Sequence, residues 1–384
     1  MADSDQSEAS GGNRMRIAIA RTMAEFSLDI YTDNLIAGLR KARPEWEILE
    51  LVPKSFDRTS SSLSVRIKKY YERFWRYPQF VQQQEADLIH IVEPCDANIV
   101  YWLRKTNRPV VVTCHDLVNF FYKDNLQGSV QLPIVSRHAW LHSVNGMRYA
   151  DGIIAVSSAT AKDTTQILKI DPTQITVIPN AVESIFHPLP KSEVTAFRQQ
   201  QGIAPETLCL LNVGANHPRK NIDTILRAIA ILKDKKLPIL FCKAGADFTA
   251  QQKQFIQACK LESTVRYIGK PDKSTLVQFY NAAELLLAPS LHEGFGITLL
   301  EAMACGTPVV TSNTSAMPEV VGNAGVLVNP KSPDEIVAAI IHLYYDPTHY
   351  QELVKRSLTR VTTFTWEKTA EKVAEVYTRI LIEK

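Results

Sequence analysis

The sequence predicts an α/β protein of two doubly wound domains in tandem, on three observations. Short apolar runs rich in β-branched residues alternate with helical periodicity from end to end, the pattern of parallel strands joined by helical crossovers. The alternation lapses once, around residues 179–205, where Asn, His, Pro, Lys, Ser and a run of glutamines gather; such a stretch reads as an interdomain linker. The length of 384 residues is enough for two or three separate cores. The expected organisation is a tail over 1–14, a first domain over 15–183, a linker over 184–204, a second domain over 205–365 and a closing helix over 366–384. Ligands of doubly wound sheets lie beyond the carboxyl ends of the strands, so a cleft between the two domains is the expected site.

Each element has its own signal. Arg16-Ile17-Ala18-Ile19-Ala20 opens the first domain as a strand, and Ile30, Leu35, Ile36 and Leu39 then recur at helical spacing. Strands follow at 88–92, 109–113, 152–156 and 175–178, giving five units. The second domain repeats the scheme at 208–214, 239–242, 265–269, 285–288 and 308–311. The last helix carries Ala370, Val373, Val376, Tyr377, Ile380 and Leu381 on one face and charges on the other, so it packs on a domain.

Composition narrows the function. Forty-three basic against 40 acidic residues leave a net charge of +3, no footprint for nucleic acid. Six cysteines never fall at C-x-x-C spacing and several sit in strand-like runs; buried reduced thiols of a cytoplasmic protein are expected rather than a zinc cluster or a disulfide framework. The first fourteen residues are acidic and Ser/Gly-rich, the opposite of a secretory signal. No apolar run reaches the roughly 18–20 residues that span a bilayer, so any membrane contact is peripheral. Residues 65–76 are the candidate for it: Ile67, Tyr70, Tyr71 and Phe74 on one side and Arg66, Lys69, Arg73 and Arg76 on another suit a helix on anionic lipid. They equally suit a helix packing its aromatics on its own domain.

The richest stretch runs from Pro289 to Pro308. A strand, a loop holding Gly294 and Gly296 around Phe295, and a helix opening near Ile297 would turn backbone N–H groups and a helix dipole towards an anion. Glu293 and Glu301 flank that loop; ionised carboxylates accept paired hydrogen bonds from the vicinal hydroxyls of a ribose or a hexose. The same spacing recurs at Glu85/Glu93 and Glu367/Glu375, so the glycine loop between the acids, and not the spacing, is the signal. A second constellation, Val213-Gly214-Ala215-Asn216-His217-Pro218-Arg219-Lys220-Asn221, follows a strand and opens a helix. Arg219 and Lys220 would offer a forked donor and a compact charge to a diphosphate, or would form a solvated basic turn. His115, in Thr113-Cys114-His115-Asp116-Leu117, stands at a strand end, where it could donate to a sugar, act as a base, or be satisfied by local backbone. His90 reads as structural. Neither βα turn carries G-x-G-x-x-G, the first reading Arg21-Thr22-Met23-Ala24-Glu25-Phe26, which disfavours a dinucleotide oxidoreductase. The D-x-D at Asp3-Ser4-Asp5 lies in the tail, and no metal site is expected from it.

Together these residues resemble the family-4 retaining glycosyltransferases of the GT-B fold. The matching pieces are Thr113 to Leu117, Val156-Ser157-Ser158 with Lys162-Asp163, Val177-Ile178-Pro179-Asn180, the Val213 to Asn221 loop, His292 to Glu301, and Phe364-Thr365-Trp366-Glu367. The resemblance implies two Rossmann-like domains facing across a cleft, with the last helix crossing back to the first. It implies that Arg219 and Lys220 bind the donor diphosphate, Glu301 the ribose, Glu293 and the Gly294-Phe295-Gly296 backbone the transferred sugar and phosphates, with His115 beside the reacting sugar. Tyr267-Ile268-Gly269-Lys270 is similar to the base-binding strand end, and the Pro-Arg-Lys-Asn loop to bacterial mannosyltransferases. Three positions depart from the family: Met23 to Ser27 replace its glycine-rich first loop, Ala181 stands for a glycine, and Ala215 for an arginine, leaving Arg219 as the substitute.

The expected function is transfer of a hexose from GDP-mannose or a UDP-hexose to a glycan or lipid-linked acceptor, with retention and without a required metal or other cofactor. A GT-B-like epimerase or phosphorylase and a catalytically silent sugar-nucleotide-binding regulator are the alternatives.

Overall fold

The first sheet contains β1 (Arg16–Ala20), β2 (Glu47–Leu51), β3 (Leu88–Ile91), β4 (Val110–Cys114), β5 (Gly152–Ala155) and β6 (Ile175–Val177), in the order β2-β1-β3-β4-β5-β6. The second contains β7 (Leu208–Gly214), β8 (Ile239–Gly245), β9 (Val265–Tyr267), β10 (Leu285–Ala288), β11 (Val309–Ser312) and β12 (Gly325–Val328), in the order β12-β11-β10-β7-β8-β9. Every pairing is parallel. The structure, a computed structural model, describes residues 14–22, 27–56, 62–121 and 134–384. The tail with Asp3-Ser4-Asp5 and most of the Met23 to Ser27 loop lie outside the described residues.

The two domains are Rossmann-like, each with one strand more than the sequence pattern indicated. The additional strands, β2 and β12, are edges with a single neighbour each. Inner strands such as β3 and β4 are buried throughout and read as unbroken apolar runs; Glu-Ile-Leu-Glu-Leu and Gly-Val-Leu-Val, half exposed, do not. The strand order reverses between β1 and β3 in one sheet and between β7 and β10 in the other. These are the crevices where doubly wound sheets take ligands.

The expected linker contains a helix, Lys191–Gln200, that docks on the second domain. Phe197 sits edge-on to Phe279 at 4.9 Å, and Arg198 donates to the Ala282 carbonyl at 2.7 Å. The last helix, Trp366–Glu383, starts at Thr365, whose hydroxyl accepts from the Lys368 N–H. It returns to the first domain, burying Val373, Tyr377 and Ile380 with Ile17, Ile19, Leu35 and Leu39. Gly38 allows the approach, since a Cβ there would lie 2.6 Å from Ala370 Cβ.

The basic aromatic segment is a helix over Leu63–Tyr71, a π-helical turn over Glu72–Arg76 and a helix over Tyr77–Gln82. Its sides differ from the expected ones. Tyr70 stacks on Phe74 and reaches Ser136, Arg73 bonds Asp96 and the Cys95 carbonyl, and Arg76 pairs with buried Glu72. Leu63, Ile67, Tyr71 and Trp75, by contrast, are all more than half exposed. An α-helix drifts about 40° over four residues and a π-turn drifts back, so the π-turn keeps Trp75 in line with the other three.

Candidate active site

β7 and β10 lie side by side, and the loops that leave their carboxyl ends meet. From β7 the chain enters a short turn, Pro218–Lys220, whose opening N–H, that of Arg219, is accepted by the His217 ring at 3.2 Å. Asn221 follows in the left-handed region at φ 61°. Its amide donates to the carbonyls of Pro289 at 2.9 Å and Pro330 at 2.6 Å, tying three loops together. From β10 the chain reaches Ser290 and Glu293. The Arg219 guanidinium holds one oxygen of Glu293, and Lys220 Nζ lies 2.6 Å from the other. Ser290 also donates to that carboxylate at 2.8 Å. Ser315 fixes the Glu293 backbone, accepting from its N–H at 3.1 Å and donating to its carbonyl at 2.7 Å. Burial alone would raise this carboxyl; the charges of Lys220 and Arg219 and the donated hydrogen bonds outweigh it and hold the pKa at about 2.

Glu301 lies on the helix Ile297–Ala304, which begins after Gly296 at φ 96°. Its carboxylate accepts from the Tyr280 hydroxyl at 2.6 Å. Burial lifts its pKa to about 7 against the lowering effect of that hydrogen bond, and the charge of Lys220 reaches it too. Phe295 packs in the core, 6.0 Å from Phe364, so only its backbone can serve a ligand. At the end of β9, Gly269 at φ 74° has open space above its Cα, and Lys270 is exposed. The Gly269 carbonyl accepts from the Gly245 N–H at 2.7 Å, and Tyr267 donates to the Gly245 carbonyl at 2.8 Å.

The first domain forms the facing wall. His115 follows β4 with Nε2 3.0 Å from the Val92 carbonyl and its ring edge-on to Tyr31 at 4.6 Å. Burial lowers its pKa to about 4, so the ring is neutral and Nε2 carries the proton it donates. His90 is structural: its two nitrogens contact Tyr377 at 2.6 Å and Thr113 at 2.7 Å. The walls touch at Gly294, where a Cβ would lie 1.9 Å from the His115 carbonyl oxygen. The Gly294 carbonyl accepts from Ser157 at 2.6 Å and Thr160 at 3.0 Å. Both oxygens of Glu319 accept from the Ser158 N–H at 2.9 and 3.0 Å, and His292 lies 3.1 Å from Asp163.

Arg219, Lys220, Glu293 and Glu301 therefore converge on one region, with Gly214, Gly269 and Lys270 at neighbouring strand ends and His115 opposite. Gly294 serves the contact between the domains. Ser290 and Tyr280, which hold the two carboxylates, and Ser315, which holds the Glu293 backbone, were invisible as site residues in the sequence. So was Glu93, after β3 at the other strand-order reversal. Burial, then Asp116 and Asp96, raise its carboxyl to about 8. Its Oε2, Asp96 Oδ2 and Arg73 Nε are three buried polar atoms without a hydrogen-bond partner among the described residues. Away from the cleft, His342, Asp346 and His349 form a further group of ligand-type side chains.

Paired Rossmann-like domains with a cation pair and two carboxylates at the second domain's strand-order reversal define a GT-B glycosyltransferase architecture. Residues 31–184 match the family model for Glycosyltransferase Family 4 and residues 193–360 that for Glycosyl transferases group 1. The chain belongs to these glycosyltransferases. It is 26% identical over 283 residues to the serotype-specific mannosyltransferase WbdA of Escherichia coli, covering 71% of this chain and 33% of that protein. It is 30% identical over 245 residues to D-inositol 3-phosphate glycosyltransferase of Thermobispora bispora, covering 60% of this chain and 56% of that one. The chain thus spans a third to somewhat over half of the length of these relatives. Among solved structures, sucrose-phosphate synthase of Thermosynechococcus elongatus superposes with a TM-score of 0.77 at 20% identity, covering 97% of this chain and 100% of the other. Anabaena HepE, in complex with UDP and glucose, gives 0.72 at 18% identity, covering 95% and 100%.

Proposed function

We propose that this chain transfers a hexose from a nucleotide sugar, GDP-mannose or a UDP-hexose, to a glycan or lipid-linked acceptor with retention of anomeric configuration. The observation that carries the reading is the seating of Arg219 and Lys220 on one carboxylate beside the glycine loop. A nucleoside diphosphate would draw both cations to its phosphates and release Glu293 to accept from the sugar hydroxyls. Glu301 would hold the ribose. The two cations and the N-terminus of the helix Ile297–Ala304 would stabilise the charge that develops on the leaving diphosphate. The acceptor would attack the oxocarbenium-like sugar from the face the diphosphate leaves, with neutral His115 beside it, whose unprotonated Nδ1 could accept from a hydroxyl because Nε2–H is committed to the Val92 carbonyl. No protein nucleophile and no metal enter the scheme, so activity should persist in EDTA. The likeness of the Pro-Arg-Lys-Asn loop to bacterial mannosyltransferases and the mannosyltransferase relatives favour GDP-mannose. The test is release of free nucleoside diphosphate from a panel of sugar nucleotides. Lys220→Ala should slow it on the order of 100-fold or more, and an unchanged rate removes Lys220 from the mechanism. Incubation with inorganic phosphate and no acceptor separates the epimerase and phosphorylase readings, and binding without turnover the regulatory one.

We further infer peripheral attachment to an anionic membrane surface. No helix among the described residues is long and apolar enough to cross a bilayer. The exposed row Leu63, Ile67, Tyr71 and Trp75, beside exposed Arg66 and Lys68, supports contact with lipid. Glu72, the only acid between residues 62 and 84, is buried. Sedimentation with vesicles rich in anionic lipid, abolished in Tyr71→Ser/Trp75→Ser, tests it.

A further inference from the structure

Lys243 is a lysine with no exposed surface at all, near the carboxyl end of β8, between β7 and the edge strand β9 of the donor-side sheet. Burying an ammonium is strongly unfavourable unless a counter-charge meets it. Lys243 meets only carbonyls: Nζ donates to Gly214 O at 2.7 Å and to Ala244 O at 2.7 Å, and no carboxylate among the described residues forms an ion pair with it. The group that faces it across Gly214 carries the same charge. Gly214 has φ 135°, and a Cβ placed there would lie 3.7 Å from Lys220 Nζ. Two ammonium groups therefore bracket a single peptide at the mouth of the proposed diphosphate site. A like-charged pair around one glycine, with one member sealed from water, makes physical sense when an anion completes it.

We propose that Lys243 is a third cation of the diphosphate site, a positioning residue that fixes the Gly214 peptide from below and is electrically completed by the arriving nucleoside diphosphate. The inference rests on the proposed donor site and goes beyond it, since Lys243 is sealed behind the Gly214 peptide and acts through it. The charged groups around it are few. Lys220 opposes its protonation and Asp247, beyond the end of β8, favours it; Glu293 is engaged by Lys220 and Arg219. Asn212 of β7 and Tyr267 of β9 are its strand neighbours and are uncharged. Burial first, then Lys220, lowers its pKa to about 8. An anion on the far side of Gly214 restores the ordinary preference for the charged form, so binding takes up a proton.

The experiment is calorimetric titration of the intact protein with UDP and with GDP at pH 8.0, in buffers of different ionisation enthalpy. At that pH the nucleotides and Glu301 are largely past their titrations, and Lys243 is about half protonated. The wild-type protein should take up about half a proton per nucleotide bound. Lys243→Met, which keeps the aliphatic stem, should take up none and should bind on the order of 100-fold more weakly at pH 7. Its turnover at saturating donor should change far less than its donor KM. If Lys243→Met fails to fold, the proton count of the wild-type protein decides alone. Nucleotide binding with no proton uptake, or the same uptake in the variant, overturns the assignment while leaving the donor site standing. Binding of neither nucleotide overturns both.

Discussion

Replacing Glu293 by Gln tests the centre of the site through stability rather than turnover. The variant keeps the shape of the side chain and leaves Arg219 and Lys220, both mostly buried, facing a neutral amide. The carboxyl lies at about 2 instead of its ordinary 4.5, which corresponds to about 3 kcal/mol favouring the ionised form in the folded protein. A depressed carboxyl contributes its stability above the unfolded value and loses it as pH falls through the folded one. The contribution is therefore whole above about pH 4.5 and vanishes towards pH 2. In a domain of this size 1 kcal/mol moves the melting temperature by about 2–4 °C, so the donor-side domain of Glu293→Gln should melt about 6–12 °C below wild type at pH 7. The gap should narrow as the pH is lowered from 4.5. Thermal melts followed by circular dichroism across that range read both. A gap under about 2 °C at neutral pH, or one indifferent to pH, would show that the cations draw little from this carboxylate, and the reasoning about the site would fail with it.

Three other outcomes follow from the same geometry. Glu301 is raised to about 7 by burial, so binding of a nucleoside diphosphate through the ionised form should tighten as pH rises from 5.5 to 7.5, and titration calorimetry on Glu301→Gln should show only the smaller trend left by the nucleotide's own terminal phosphate, which ionises near about 6. Gly294→Ala places a methyl against the His115 carbonyl; it should push the domains apart, visible as a larger radius of gyration in X-ray scattering, and an unchanged radius would refute close contact there. Tyr377→Phe strips His90 of the partner at 2.6 Å on Nδ1 and should cost about 1–3 kcal/mol in urea unfolding, whereas a neutral result would mean that the ring finds another partner.

Much of this protein could be read before its coordinates. The inner strands announced themselves because burial on both faces demands continuous apolar runs, and Glu293, Arg219 and Lys220 because they stand in turns after such runs, with Glu301 on the helix that follows one of them. β2 and β12 were hidden for the converse reason: β2 exposes its two glutamates, and β12 buries only Val328 fully. The helix Lys191–Gln200 was hidden because a single buried aromatic, Phe197, anchors it. Ser315 and Tyr280 could not be read because they reach the Glu293 backbone and the Glu301 carboxylate through tertiary contacts that leave no periodicity, and Ser290 because nothing in a loop serine three residues before Glu293 says that its hydroxyl meets the carboxylate instead of water. The sidedness of residues 65–76 failed for a specific cause, since a π-turn alters the angular step on which any helical wheel depends.

The chain passes between the domains twice, and the two passages lie against each other. Val182 N–H donates to the Phe364 carbonyl at 3.3 Å, and Thr369 donates to the Pro179 carbonyl at 2.9 Å. A single tether would let one lobe swivel freely about the other. A laced pair would act like the spine of a book and favour one rotation, a swing that would part Gly294 from His115. Substrate entry and product exit would share that single degree of freedom, so stiffening the spine should slow both without touching Arg219, Lys220, Glu293 or Glu301.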